Sequence, residues 1–159
     1  MYVPFDKIDE NAKCWIYILE KNINFKSDEI NLILKSLCEK WKSHNNEVVS
    51  SFQIYRDRYI ILFAEEGISG CSIDSSNRLL RYELDRLNIN VMPNSKIGIF
   101  IENKIKLEDR SSIINLIQAN KLRPNDKMIN TTVTNKKEYN KNWILEINKS
   151  WLTNFIKGK

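Results

Sequence analysis

Apolar positions in this chain recur at two spacings, and the switches between them divide it into alternating strands and helices. Cys14-Trp15-Ile16-Tyr17-Ile18-Leu19 is apolar throughout, which fits a strand buried on both faces. After the polar stretch Glu20–Lys26, Ile30, Ile33, Leu34, Leu37, Cys38 and Trp41 follow at helical spacing. Ser27 is a suitable N-cap for that helix, with Asp28 and Glu29 in the first turn where the helix dipole favours them. The helix should end near Ser43-His44-Asn45-Asn46, with His44 bonding the last carbonyls. Phe52–Tyr55 alternates and Tyr59–Ala64 is apolar throughout, so with Arg56-Asp57-Arg58 between them they read as a hairpin. A second helix is predicted over about residues 75–88, then a strand over Lys96–Glu102 that turns at Asn103-Lys104 into Ile105-Lys106-Leu107.

Strand, helix, strand, strand, helix, strand is the order of a ferredoxin-like split β-α-β fold, an antiparallel α+β sheet with two helices on one face. That topology centres the first and third strands, and here those two are apolar on both faces while the second and fourth alternate. Residues 1–107 are expected to form this core. Residues 108–159 are expected to be a C-terminal α/β extension packed on it within one structural domain. The extension reads as a short helix capped by Asp109, a strand at Thr131–Thr134, a polar loop from Asn135 to Asn142 and a last helix capped by Ser150. Trp143 and Trp151 are its expected anchors.

Composition adds limits rather than a function. With 42% hydrophobic and 28% charged residues, the chain has the balance of an ordinary globular protein. Its longest apolar runs are too short to cross a bilayer, and the first ten residues lack the basic start and apolar centre of a signal peptide. A cytoplasmic location is therefore expected. Cys14, Cys38 and Cys71 are an odd number without close spacing, as reduced thiols would be. With one histidine and no Cys-x-x-Cys, neither a metal site nor a cofactor is expected. The net charge of +5 lies in the second half of the chain. This could suit nucleic acid, but the lysines are scattered, so that partner is not favoured.

With Lys13–Tyr17, Trp41-Lys42-Ser43-His44, Ser69-Gly70-Cys71-Ser72-Ile73-Asp74 and Ser150-Trp151 in view, the chain resembles a group of small bacterial proteins. They are found mainly in Bacteroidetes and often carry the label "ABC transporter ATPase". The resemblance covers most of the chain, is weakest over residues 103–140, and assigns no catalytic residue. The ATPase label does not suit this sequence. Gly67, Gly70, Gly98 and Gly158 never head the Gly-Lys-Ser/Thr of a phosphate-cradling loop.

The stretch Ser69–Ser76, at a strand-to-helix junction, is the candidate site. Three readings compete. Cys71 at a helix N-terminus has the setting that activates a thiol, and a thiol-dependent enzyme would use it. The expected topology, however, places His44, the one candidate base, at the opposite edge. Alternatively Ser69, Gly70, Cys71, Ser72, Asp74 and Ser75 bind a ligand, with Lys21 and Lys26 brought alongside from the first strand–helix loop. In the third, Ser72, Asp74 or Ser75 only caps the helix and Gly70 permits the turn. Binding is favoured over catalysis. The expected protein is a binding or adaptor protein recognising a small ligand or protein partner at an edge made by residues 20–27 and 65–76.

Overall fold

A computed structural model describes residues 1–156, and their contacts divide into two units. The first comprises Met1–Met92 with Thr134–Lys137, the second Pro93–Val133 with Glu138–Lys159. The first unit holds β1 (Lys13–Leu19), α1 (Ser27–Lys40), β2 (Lys42–Ser43), β3 (Asn46–Glu47), β4 (Ser50–Tyr55), β5 (Tyr59–Ala64), α2 (Gly70–Arg86) and β6 (Val91–Met92). The protein is thus mixed α+β, and its sheet pairs are antiparallel.

Four strands form the sheet of the first unit in the order β4-β5-β1-β6. The two strands with unbroken apolar runs, β1 from Cys14 to Leu19 and β5, lie in the middle, in register from Lys13↔Ala64 to Ile18↔Tyr59. Tyr17 and Leu19 of β1, with Ile60 and Leu62 of β5, meet Ile30, Leu34 and Leu37 of α1 and Leu80 and Leu84 of α2 in one buried cluster. The period of two on the strands and near 3.6 on the helices converges there. On the other face Phe5 of the lead-in packs on Phe63, ring centroids 5.0 Å apart.

Several expectations are corrected. The fourth strand is the short Val91–Met92, which pairs with Ile18 and Leu19, and not Lys96–Glu102. The far end of β1 is completed instead by the returning segment, where Cys14 N–H donates to the Thr134 carbonyl and Lys13 bridges Asn135. Ser27 is the first residue of α1 rather than its cap, because a 3-10 turn over Asn24–Lys26 runs straight into the helix. His44 does not end α1. With Asn45 it makes the two-residue turn between β2 and β3, both residues left-handed at φ 50° and 65°.

In the second unit β7 (Ile97–Ile101), β8 (Lys104–Glu108), α3 (Arg110–Gln118), β9 (Lys127–Ile129), α4 (Lys136–Asn142, whose first two residues belong to the first unit) and β10 (Ile144–Glu146) follow. The sheet order is β10-β9-β7-β8. The β7–β8 hairpin is as expected, but it belongs here, so the division falls after Met92 and not after Leu107. Ile97, Ile99, Ile113, Ile117, Met128, Ile147 and Leu152 form its own core. The strand expected at Thr131–Thr134 lies earlier, at β9, and the expected loop 135–142 is largely helical. Ser150 does cap the last element, accepting from Leu152 N–H at 3.2 Å, but that element is a 3-10 helix. Trp143 is buried, whereas Trp151 is exposed rather than an anchor.

Candidate functional site

Because β1 and β5 run antiparallel, the helices that follow them leave the sheet at opposite ends. The end of α1 therefore meets the start of α2, and two sets of hydrogen bonds record it. At one end, Ser69 N–H donates to Ser43 Oγ at 2.9 Å. At the other, Lys26 Nζ donates to the Leu87 carbonyl at 2.7 Å, and Glu20 N–H donates to the Asn90 carbonyl. A cation on the terminal carbonyls of α2 is where the helix dipole favours one. Lys21 and Lys26 thus sit near the C-terminal end of a helix of 17 residues, about 25 Å from its start at 1.5 Å per residue. The edge expected from residues 20–27 and 65–76 does not exist.

The Ser69–Ser76 stretch is the cap and first two turns of α2, which starts at Gly70 and not near residue 75. Ser69, rather than Ser72, Asp74 or Ser75, is the N-cap and accepts from Ser72 N–H at 3.2 Å. Ser72 Oγ donates to the Lys42 carbonyl at 2.6 Å and accepts from the buried Trp41 indole at 2.9 Å. Ser75 Oγ donates to the Cys71 carbonyl and Ser76 Oγ to the Ile73 carbonyl. These hydroxyls are committed to the fold. Gly70 is not the turn residue. A side chain there would meet nothing within 4 Å, while Gly67, at φ +92°, makes the turn.

Cys71 is exposed, in the first turn, and Asp74 is exposed in the second. His44 lies on the β2–β3 hairpin, which the Ser43–Ser69 and Lys42–Ser72 bonds hold against the start of α2. The far edge expected for it is therefore wrong, yet no hydrogen bond joins it to Cys71. Among the described residues no group of three or more His, Cys, Asp or Glu side chains is placed to hold a metal ion, and no helix is long and apolar enough to cross a membrane.

The open feature of this end lies beside the serines, on the outer side of the two helices. A cleft of about 230 Å³ is lined by Leu37, Lys40, Trp41, Lys42, Ser72, Ser75, Ser76 and Leu79. A second hollow of about 300 Å³, lined by Leu32, Ile33, Ser36, Leu37, Lys40, Leu79 and Glu83, shares Leu37, Lys40 and Leu79 with it. Together they make one groove along the α1–α2 seam. Its apolar walls are unusually open, with Leu32 70% and Leu79 44% exposed. Sequence reasoning missed it, although a signal was present. Leu32 falls outside the Ile30, Ile33, Leu34, Leu37 spacing, and only one of Leu79 and Leu80 can face the core.

Comparison of the chain with protein-family models, with curated proteins and with solved structures finds no match in any of the three.

Proposed function

We propose that this chain is a non-catalytic binding protein, that its first unit is a ferredoxin-like module, and that the α1–α2 groove receives a protein partner. The strand order and the two helices on one face support the fold reading. One observation carries the functional reading: Leu32 and Leu79 stand exposed on either side of a groove floored by the buried Leu37. An open apolar groove of this kind is what the apolar face of an amphipathic helix docks on. A thiol-dependent enzyme is disfavoured, because Cys71 has no base bonded to it and the surrounding hydroxyls are engaged by the fold. In this reading Ser72, within the Ser69–Asp74 block that is the most specific part of the family resemblance, lines one end of the groove. Three cysteines without a disulfide suit a cytoplasmic protein.

The test is backbone amide NMR of the full chain during addition of amphipathic helical peptides with leucines on one face. Shift changes confined to residues 32–42 and 72–83 are expected. If no such peptide moves these residues, the reading is rejected.

A second reading, nucleic-acid binding, draws on how charge divides between the units. The first carries 14 basic and 14 acidic residues and the second 11 and 6, so the whole +5 belongs to the second. A mobility-shift assay at low salt decides it, and the absence of any complex removes it.

A further inference from the structure

The groove is electrically lopsided. Lys40, in the last turn of α1, and Lys42, on β2, both line its α2-start end. Both are exposed, and neither pairs with a carboxylate among the described residues. Glu47 stands opposite Lys42 across the hairpin, but in register only. The first turn of α2 contains no acidic residue, so the partial positive charge of the helix start adds to the two ammonium groups. At the other end, which Lys40 also lines, the one carboxylate is Glu83, already bonded to Arg86 at 3.0 Å. An apolar middle, a cationic end and a neutralised far end are therefore arranged in line.

Resting on the binding reading above, we propose that the partner's segment is an acidic amphipathic helix, with aliphatic anchors over Leu32, Leu37 and Leu79 and carboxylates over Lys40 and Lys42. The dimensions suit two turns of helix. From Leu32 to Lys40 along α1 is about 12 Å, which takes apolar anchors at i, i+3 or i+4, and i+7. The anchors supply affinity by burying what α1 and α2 leave exposed, and the carboxylates fix which end of the helix lies at the hairpin. Exposed charge pairs of this kind direct orientation more than they add strength.

The experiment uses the full chain and three synthetic helical peptides of about 14 residues. They share leucine anchors and differ only in the last turn, which carries glutamates, glutamines or lysines. Binding is read by fluorescence anisotropy, with amide shifts to locate it. The glutamate peptide is expected to bind about tenfold more tightly than the glutamine peptide, with the advantage shrinking as salt rises. The double variant Lys40→Glu, Lys42→Glu, altered only at exposed positions, should reverse the preference towards the lysine peptide and leave the far-ultraviolet circular dichroism unchanged. Equal binding of all three peptides within the groove overturns the acidic partner and leaves the binding reading standing. If no peptide shifts the groove residues, both fall. Sedimentation of the chain alone as a dimer that Leu32→Asp dissociates also overturns the proposal, because the occupant is then a second copy.

Discussion

Ser72→Ala separates a structural role for the start of α2 from a ligand-binding one. The hydroxyl removed is buried and has two partners, the Lys42 carbonyl at 2.6 Å and the Trp41 indole at 2.9 Å. Loss of the first bond costs about 1 kcal/mol. Loss of the second leaves the buried Trp41 N–H without an acceptor, at about 1–3 kcal/mol. Alanine returns about 0.5 kcal/mol through its higher helix propensity. The net expectation is a loss of about 1.5–3.5 kcal/mol, measured by urea denaturation followed by circular dichroism. Ser75→Ala is the control, since that exposed hydroxyl bonds only the Cys71 carbonyl one turn back, and it should lie within about 0.5 kcal/mol of wild type. If Ser72→Ala costs no more than Ser75→Ala, the account of the serines as scaffold is wrong.

Lys136→Met should destabilise the protein by about 2–4 kcal/mol in the same assay, because a buried ammonium donates to the Ile8 carbonyl at 2.7 Å beside Glu10 and the Phe5 ring. Glu10→Gln should cost under about 1 kcal/mol, since Glu10 is half exposed. Burial, partly offset by the Ser50 hydroxyl, pushes the Cys38 thiol up from 9.0 to about 11. Below pH 9 folded and unfolded chains both hold that proton; from pH 9 to 11 the unfolded chain loses it first, so stability falls as pH rises through this window. Cys38→Ala should remove on the order of 2 kcal/mol of that fall, and parallel wild-type and variant slopes would refute the assignment. Leu32→Ser should leave stability within about 0.5 kcal/mol, whereas Leu34→Ala, emptying a fully buried site, should cost about 2–5 kcal/mol in the same titration.

What periodicity dictates could be read from the residues alone. The α1 stripe from Ile30 to Trp41 and the unbroken apolar runs of β1 and β5 announced both the elements and their central place. What tertiary bonds dictate could not. Gly70, Cys71, Ser72 and Ser75 are poor helix formers and read as a loop, yet the bonds of Ser69 to Ser43 and of Ser72 to Trp41 and Lys42 fix the helix start there. Lys136–Asn142 has no apolar stripe to betray α4. Val91–Met92 is too short to stand out as a strand beside the longer alternating run that follows. The candidate edge failed for a different reason. The two strands that precede the helices pair antiparallel, which sends the helix starts to opposite ends and replaces the Lys21–Lys26 loop with the Lys42–Glu47 hairpin.

The return of Thr134–Lys137 to the first unit bears on how the chain is made. That unit is discontinuous, and its last piece emerges from the ribosome only after residues 93–133 have been synthesised. At about 5–20 residues per second this is a delay of roughly 2–8 s. Throughout it, the Cys14 N–H at the start of β1 lacks the Thr134 carbonyl, and the Ile8 carbonyl lacks the Lys136 ammonium that later covers it. An open strand edge of this kind invites pairing with another nascent chain. Translation speed over residues 93–133 therefore sets how long the first unit is exposed to aggregation.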